Sequence, residues 1–204
     1  MQLTKKQIQG LERIYRLNLI NSITGIKPAN LIGTISDTRV SNLAIFSSVV
    51  HIGSNPPLIG MIFRPQDQVT QDTYRNILDC GYYTINNVRI EHSEKAHLTS
   101  AKFDREVSEF QKSGFREEFL EDFPAPFVSE SFIKIGMKLQ EMVPIKANKT
   151  ILAIGSVEQL FLPNEILSEN GFIDLTESES TGISGLNSYY KLEKVADYPY
   201  ARLN

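Results

Sequence analysis

Apolar residues alternate with polar ones at residues 82–88 and 132–139, the pattern of half-buried strands. The cleanest case spans residues 132–139. Ile133, Ile135, Met137 and Leu139 share one face, and Lys134 and Lys138 take the other, as in an antiparallel strand with one wet side. Strand-like runs also cover residues 26–35, 43–50, 58–64, 82–88 and 151–162, the last with Gly155 as a bend. Ser36, Asp37, Thr38 and Arg39 form a polar turn after the first run. Asn55, Pro56 and Pro57 separate the second run from the third, because two prolines do not fit inside a ladder.

Helical spacing is confined to a few places. Residues 4–19 place Ile8, Leu11, Ile14, Tyr15 and Leu19 at helical intervals, with Thr4 as a cap and Gly10 as a weak point. One or two short helices are expected there. Asp72 or Thr73 caps a second helix with Tyr74, Ile77 and Leu78 on one face, closed by Gly81. Residues 91–114 are charged and helical in pieces, broken by Pro124 and Pro126 further on. Residues 177–185, rich in Ser, Thr, Gly and Glu, read as an ordered loop. Tyr189, Tyr190, Tyr198 and Tyr200 mark a tail expected to dock. Strands without regular crossover helices imply a mainly β fold, a β-barrel or sandwich with peripheral helices.

Composition narrows the function. A length of 204 residues and 41% hydrophobic content imply one globular domain with a real core. The net charge of −3 and the lack of a basic block argue against a nucleic-acid or membrane partner. Cys80 is the only cysteine, which excludes an intrachain disulfide and a cysteine-based metal cluster. With no secretory signal pattern and no long apolar run, a cytoplasmic location is expected. Familiar catalytic motifs are missing: no GxGxxG, no P-loop, no HExxH and no GxSxG. His92 and His97 are five apart, off a common helical face. Glu117, Glu118 and Glu121 read as a solvated acidic patch.

What remains is the stretch from Gly25 to Pro65, which has the makings of an anion cradle. Arg64 ends an apolar strand, where its guanidinium fork could bind a phosphate; the plainer reading is a surface arginine. Ser47 and Ser48 could add donors, or satisfy local backbone groups. Thr73 would bring a hydroxyl and a helix N-terminus. His51, between Val50 and Ile52, reads as a packed residue, and Cys80 as core. Lys102 and Phe103 could wall the site or simply end a helix.

The order of these pieces is specific. GIKPANLIGT (25–34), SNLAIFSSVVHIGSNPPLIGMIFRP (41–65), DTYRNILDCGYYTINNV (72–88), AHLTSAKF (96–103) and SEF (108–110), followed by PFVSESFIKIGMKLQE (126–141) and NKTILAIGSVEQL (148–160), carry a resemblance across most of the chain. The chain resembles the flavin reductase-like family of the FMN-binding split barrel. The resemblance implies a six-stranded Greek-key split barrel over residues 1–204, working as a homodimer with FMN near the subunit interface. It implies that Asn42, Leu43, Ala44 and Val49 line the flavin, and that Ser47, Ser48 and Arg64, beside Phe63, hold its phosphate. Thr73 would add to the phosphate contacts, and Ala101, Lys102 and Phe103 would approach the ribityl chain or ring. The turn at 36–40 departs from the family, many of whose members carry a glycine before the asparagine segment.

The expected function is therefore hydride transfer from NADH or NADPH to FMN, and onward to a small-molecule or protein acceptor. No catalytic acid or base is assigned, since proximity and orientation of stacked rings suffice. The alternatives are an FMN-bound electron carrier without nicotinamide reductase activity, or a barrel that has lost its flavin.

Overall fold

The computed structural model describes residues 1–67 and 71–202. Thr4 caps α1 (Lys5–Gly10) in a capping box: its Oγ1 accepts from the Gln7 N–H, and Gln7 Oε1 accepts from the Thr4 N–H. α2 (Arg13–Ser22) follows, with Glu12 accepting from the Tyr15 N–H. Neither helix contains a buried residue.

β1 (Lys27–Pro28), β2 (Asn30–Ile35), β3 (Ser41–Phe46), β4 (Val49–Ser54) and β5 (Pro57–Phe63) come in succession. α3 (Asp72–Cys80) then turns into β6 (Tyr82–Asn87) through Gly81, whose φ of 77° suits a residue without a Cβ. α4 (Ser93–Leu98) and α5 (Glu109–Ser113) cross the surface before β7 (Glu117–Glu118) and β8 (Phe127–Val128). The long hairpin of β9 (Lys134–Ile145) and β10 (Thr150–Phe161) follows, and β11 (Thr181–Ser184) and β12 (Ser188–Lys191) end the fold.

Seven strands form one sheet, in the order β3-β2-β6-β9-β10-β5-β4, with every neighbouring pair antiparallel. The two edge strands, β3 and β4, are consecutive in the chain and joined only by Ser47 and Ser48. The three Cα–Cα steps from Phe46 to Val49 reach roughly 10 Å at full extension, so the two edges of the sheet must meet there. The sheet is thus rolled into a barrel, closed at this seam. Ser48 ties the seam to β5: its carbonyl accepts from the Ile62 N–H at 3.1 Å, and its Oγ donates to the Ile62 carbonyl at 2.9 Å. Away from the seam β3 pairs only with β2 and β4 only with β5, which leaves the barrel split.

β2 is buried along its whole length. Its alternating side chains serve two cores. Ile32 joins Phe63, Ile77, Tyr83 and Met137 in one cluster. Leu31 joins Leu43, Phe110 and Val128 in the other, under the helices. Each such side chain contributes about 1.5–3 kcal/mol by leaving water.

Several expectations change in detail. The run 43–50 keeps its apolar pattern but changes partners at Ser47, where it divides into β3 and β4, so the sheet has seven strand segments. Pro57 does enter a ladder, opposite Ser54, but as the first residue of β5. Residues 181–184 are a strand, paired with β1 and β12 through backbone bonds that leave little apolar alternation to read. The helix cap is Gln71, without a side-chain bond, rather than Asp72 or Thr73. Leu78 and His51 are exposed, and Cys80 is half-buried rather than core. Tyr189 docks, its hydroxyl 3.1 Å from His97 Nδ1, whereas Tyr198 and Tyr200 stay exposed.

The unusual turn has a physical explanation. Ser36 N–H donates to the Val40 carbonyl, and Arg39 N–H to the Ser36 carbonyl, both at 3.0 Å. This closure holds Arg39 at a φ of 66°, where a side chain costs roughly 1–2 kcal/mol and glycine sits freely. Arg39→Gly should raise stability by up to about 1 kcal/mol in urea unfolding, the gain being offset in part by glycine's larger unfolded-state entropy. Gly33, in β2, behaves oppositely. A Cβ there would lie 2.2 Å from the Pro126 carbonyl oxygen and 2.5 Å from Thr84 Oγ1. Gly33→Ala should destabilise the fold by about 2 kcal/mol or more, measured the same way.

Candidate functional site

The seam supplies the chemistry that the pattern of the sequence pointed to. Continuing the β4–β5 register past Val49 and Met61 sets Ser48 against Ile62, Ser47 against Phe63, and Arg64 just beyond. Ser47 and Arg64 therefore both lie within two residues of the Ser48–Ile62 contact. The Ser47 hydroxyl and the Arg64 guanidinium have no hydrogen-bond or ion-pair partner among the described residues, and Arg64 is exposed. Ser48 has a different task. Its proton is given to the Ile62 carbonyl, so it fixes the seam and has no second proton to donate.

Phe63 belongs to the core. Its ring is fully buried, edge-on to Phe46 and Tyr74 with both centroids at 5.3 Å, so only its backbone faces the seam. Val49 is half-buried against the same cluster.

The far end of β3 is held by buried amides and hydroxyls. Asn42 Nδ2 donates to Thr34 Oγ1 at 3.1 Å and to Thr73 Oγ1 at 3.0 Å. Asn76 Nδ2 donates to the same Thr34 oxygen at 3.1 Å, while its Oδ1 is buried without a partner. Thr73 is thus buried and pins α3 to the sheet at Asn42. Asn42 and Ser47, five residues apart on an extended strand, are separated by roughly 16 Å. The Thr73 hydroxyl accordingly sits at the Asn42 end of β3.

Between these ends, Leu43 buries its side chain completely and its N–H donates to Glu109 Oε2 at 3.0 Å. Ala44 is half-buried beside it. Burial of Glu109 holds its carboxyl above the ordinary range, with the nearby Asp72 charge adding to the rise and the Leu43 N–H opposing it. Arg105 bridges two other acids, reaching Asp72 at 3.1 Å and Asp37 at 3.3 Å. That bridge draws the loop containing Ala101, Lys102 and Phe103 to the start of α3. Ala101 and Lys102 are exposed, Phe103 is half-buried, and the Lys102 ammonium has no partner among the described residues.

The structure therefore divides the expected residues. Ser47, Ser48 and Arg64 meet at the seam, whereas Asn42, Thr73 and the 101–103 loop gather at the other end of β3. Thr34, Asn76, Arg105 and Glu109 were not singled out from the sequence. Thr34 and Asn76 were detectable as polar residues on otherwise apolar, buried periodicities. Arg105 and Glu109 sit in a charged stretch with no periodic signal.

The arrangement fits a long molecule with a phosphate at one end. Unused donors at Ser47 and Arg64 suit a dianion. The 42–44 backbone is immobilised from both sides, a firm support for a ring. Two concavities, of about 320 and 210 Å³, include none of Ser47, Ser48 and Arg64; Arg64 is exposed and the two serines are half-buried.

Comparison with known proteins agrees with this architecture. A protein from Shewanella frigidimarina NCIMB 400, assigned as a flavin reductase with split barrel domain, superposes with a TM-score of 0.94 at 44% identity, covering 98% of this chain and 100% of that one. Nitrilotriacetate monooxygenase component B from Bacillus cereus has the same fold, with a TM-score of 0.85 at 18% identity over 97% of this chain and 98% of its own. An FMN-binding protein from Thermus thermophilus, solved with bound 1-cyclohex-2-enone, shares the fold with a TM-score of 0.71 at 15% identity over 86% of this chain and 91% of its own. The model of the flavin reductase like domain matches residues 26–176, from the residue before β1 to the loop before β11. This chain belongs to the flavin reductase-like domain family, with its split-barrel fold.

Proposed function

We propose that the chain holds FMN along β3 and uses it to carry hydride from NADH or NADPH to a small-molecule or protein acceptor. The observation behind this reading is that Ser47 and Arg64, both without a side-chain partner among the described residues, lie within two residues of the Ser48–Ile62 contact where the two sheet edges join. Arg64 would bind the phosphate through its fork, and Ser47 would add a hydroxyl donor. Ser48 would keep both in place through Ile62. The backbone of residues 42–44 would support the ring, with the loop of Ala101, Lys102 and Phe103 as a wall. Bound FMN would supply the hydride-accepting ring. The protein's own part is to orient that ring and leave one face open to a nicotinamide, so no acid or base is assigned.

A second copy of the chain is the proposed cover. The cradle is open in the single chain, and β4, which leaves the seam as an unpaired edge, exposes Val50 and Ile52. A homodimer built there would bury these side chains and shield the flavin. No helix among the described residues is long and apolar enough to cross a membrane.

The reading is tested with the purified full chain. FMN uptake should give a yellow protein whose visible absorbance bleaches anaerobically on adding NADH or NADPH. Failure to take up FMN overturns the reading; uptake without bleaching by either nucleotide identifies an electron carrier instead. Arg64→Ala should weaken FMN binding by about 10- to 100-fold, the scale of one charged hydrogen-bonding group. An Arg64→Ala protein that binds FMN as tightly as wild type removes the phosphate assignment.

A further inference from the structure

The geometry points to Glu109 as a positioning residue for the cradle, a role that rests on the FMN reading above. β3 is an edge strand: β2 pairs one side, and no strand pairs the other. Such an edge leaves backbone N–H groups unpaired and the strand free to bend. The Leu43 N–H is one of these groups, and Glu109 Oε2 accepts its hydrogen bond at 3.0 Å across 66 residues of sequence. The carboxylate takes the place of a neighbouring strand at this point. The other sides are already held, by the β2 ladder, by the buried Leu43 side chain, and by Asn42 bonded to Thr34 and Thr73. Glu109 is the contact that closes the outer side of residues 42–44.

Anchoring of α5 does not explain this carboxylate. Phe110, the next residue, is buried in the cluster that contains Leu43 and docks the helix without it. Taking Glu109 out of water beside Asp72 opposes folding. An apolar residue at 109 would avoid that penalty but would leave the Leu43 N–H without an acceptor. A second tie acts on the same segment. Arg105, four residues earlier, binds it to Asp37 and Asp72. The segment that carries Ala101, Lys102 and Phe103 is therefore fastened to both margins of the 42–44 support, at the start of α3 and at the outer edge of β3.

The test compares full-length wild type with Glu109→Ala and Glu109→Gln by amide hydrogen exchange at Leu43 and by FMN binding from fluorescence quenching. In Glu109→Ala, exchange at Leu43 should quicken about tenfold and FMN should bind about tenfold more weakly, the scale of one hydrogen bond to a charged group. Glutamine keeps an acceptor oxygen at the same reach, so Glu109→Gln should stay within about threefold of wild type in both measurements. Faster exchange with unchanged FMN affinity in Glu109→Ala leaves a purely structural bond and overturns the proposal. So does a Glu109→Gln protein as impaired as Glu109→Ala. If Glu109→Ala does not fold, Glu109→Asp decides, because it keeps the charge but withdraws the acceptor; wild-type FMN affinity there also overturns the proposal. A wild-type chain that takes up no FMN ends the functional reading and this role together. Leu43 exchange in the flavin-free protein separates that outcome, since it reports the bond independently of any ligand.

Discussion

The two-residue junction between β3 and β4 governs the molecule. Seven antiparallel strands could lie as an open sheet with two unpaired margins. Making the margins consecutive in the chain, with only Ser47 and Ser48 between them, removes that option. The sheet must roll until its ends touch, and the paired carbonyl and hydroxyl contacts of Ser48 with Ile62 register that closure. Everything inside the barrel follows from it, including the packing of Phe63 against Phe46 and Tyr74.

The same junction separates structural from chemical work among neighbouring residues. Ser48 and Phe63 are committed inward, one to a backbone carbonyl and the other to the core. Ser47 and Arg64, adjacent to them, have no side-chain partner among the described residues. A rigid frame with unused donors is the condition under which a charged ligand loses little freedom on binding, because the protein has already been ordered by folding. The other end of β3 shows the same economy. Asn42, Thr34, Thr73 and Asn76 consume most of their polar capacity on one another.

How far the sequence could be read depended on whether apolar periodicity carried the information. The strands around Ile133 to Leu139 and Tyr82 to Asn87, and the helix closed by Gly81, were legible because burial itself imposed their patterns. The break at Ser47 was not, since β3 and β4 are both apolar and only their partners differ. Residues 181–184 were missed because a short strand fastened by backbone bonds has little side-chain alternation. At the site, Arg64, Ser47 and Ser48 were found by their order along the chain. Their division of labour was hidden, because whether a serine proton is spent or free depends on a carbonyl fourteen residues away. The Thr73 bond to Asn42 was hidden for the same reason: its local signal, a hydroxyl near a helix start, says nothing about Asn42. Arg105 and Glu109 act wholly through distant partners and left no local trace.

The junction also bears on how the chain reaches its fold. In most barrels the closing contact joins segments far apart in sequence, and forming it sacrifices much chain freedom. Here the closing contact, Ser48 with Ile62, spans fourteen residues and lies within a hairpin. The distant pairings are in the wall of the barrel instead, where β2 meets β6 and β5 meets β10. Loop-closure entropy thus falls on the middle strands, and the turn from one margin to the other can form early as a local event.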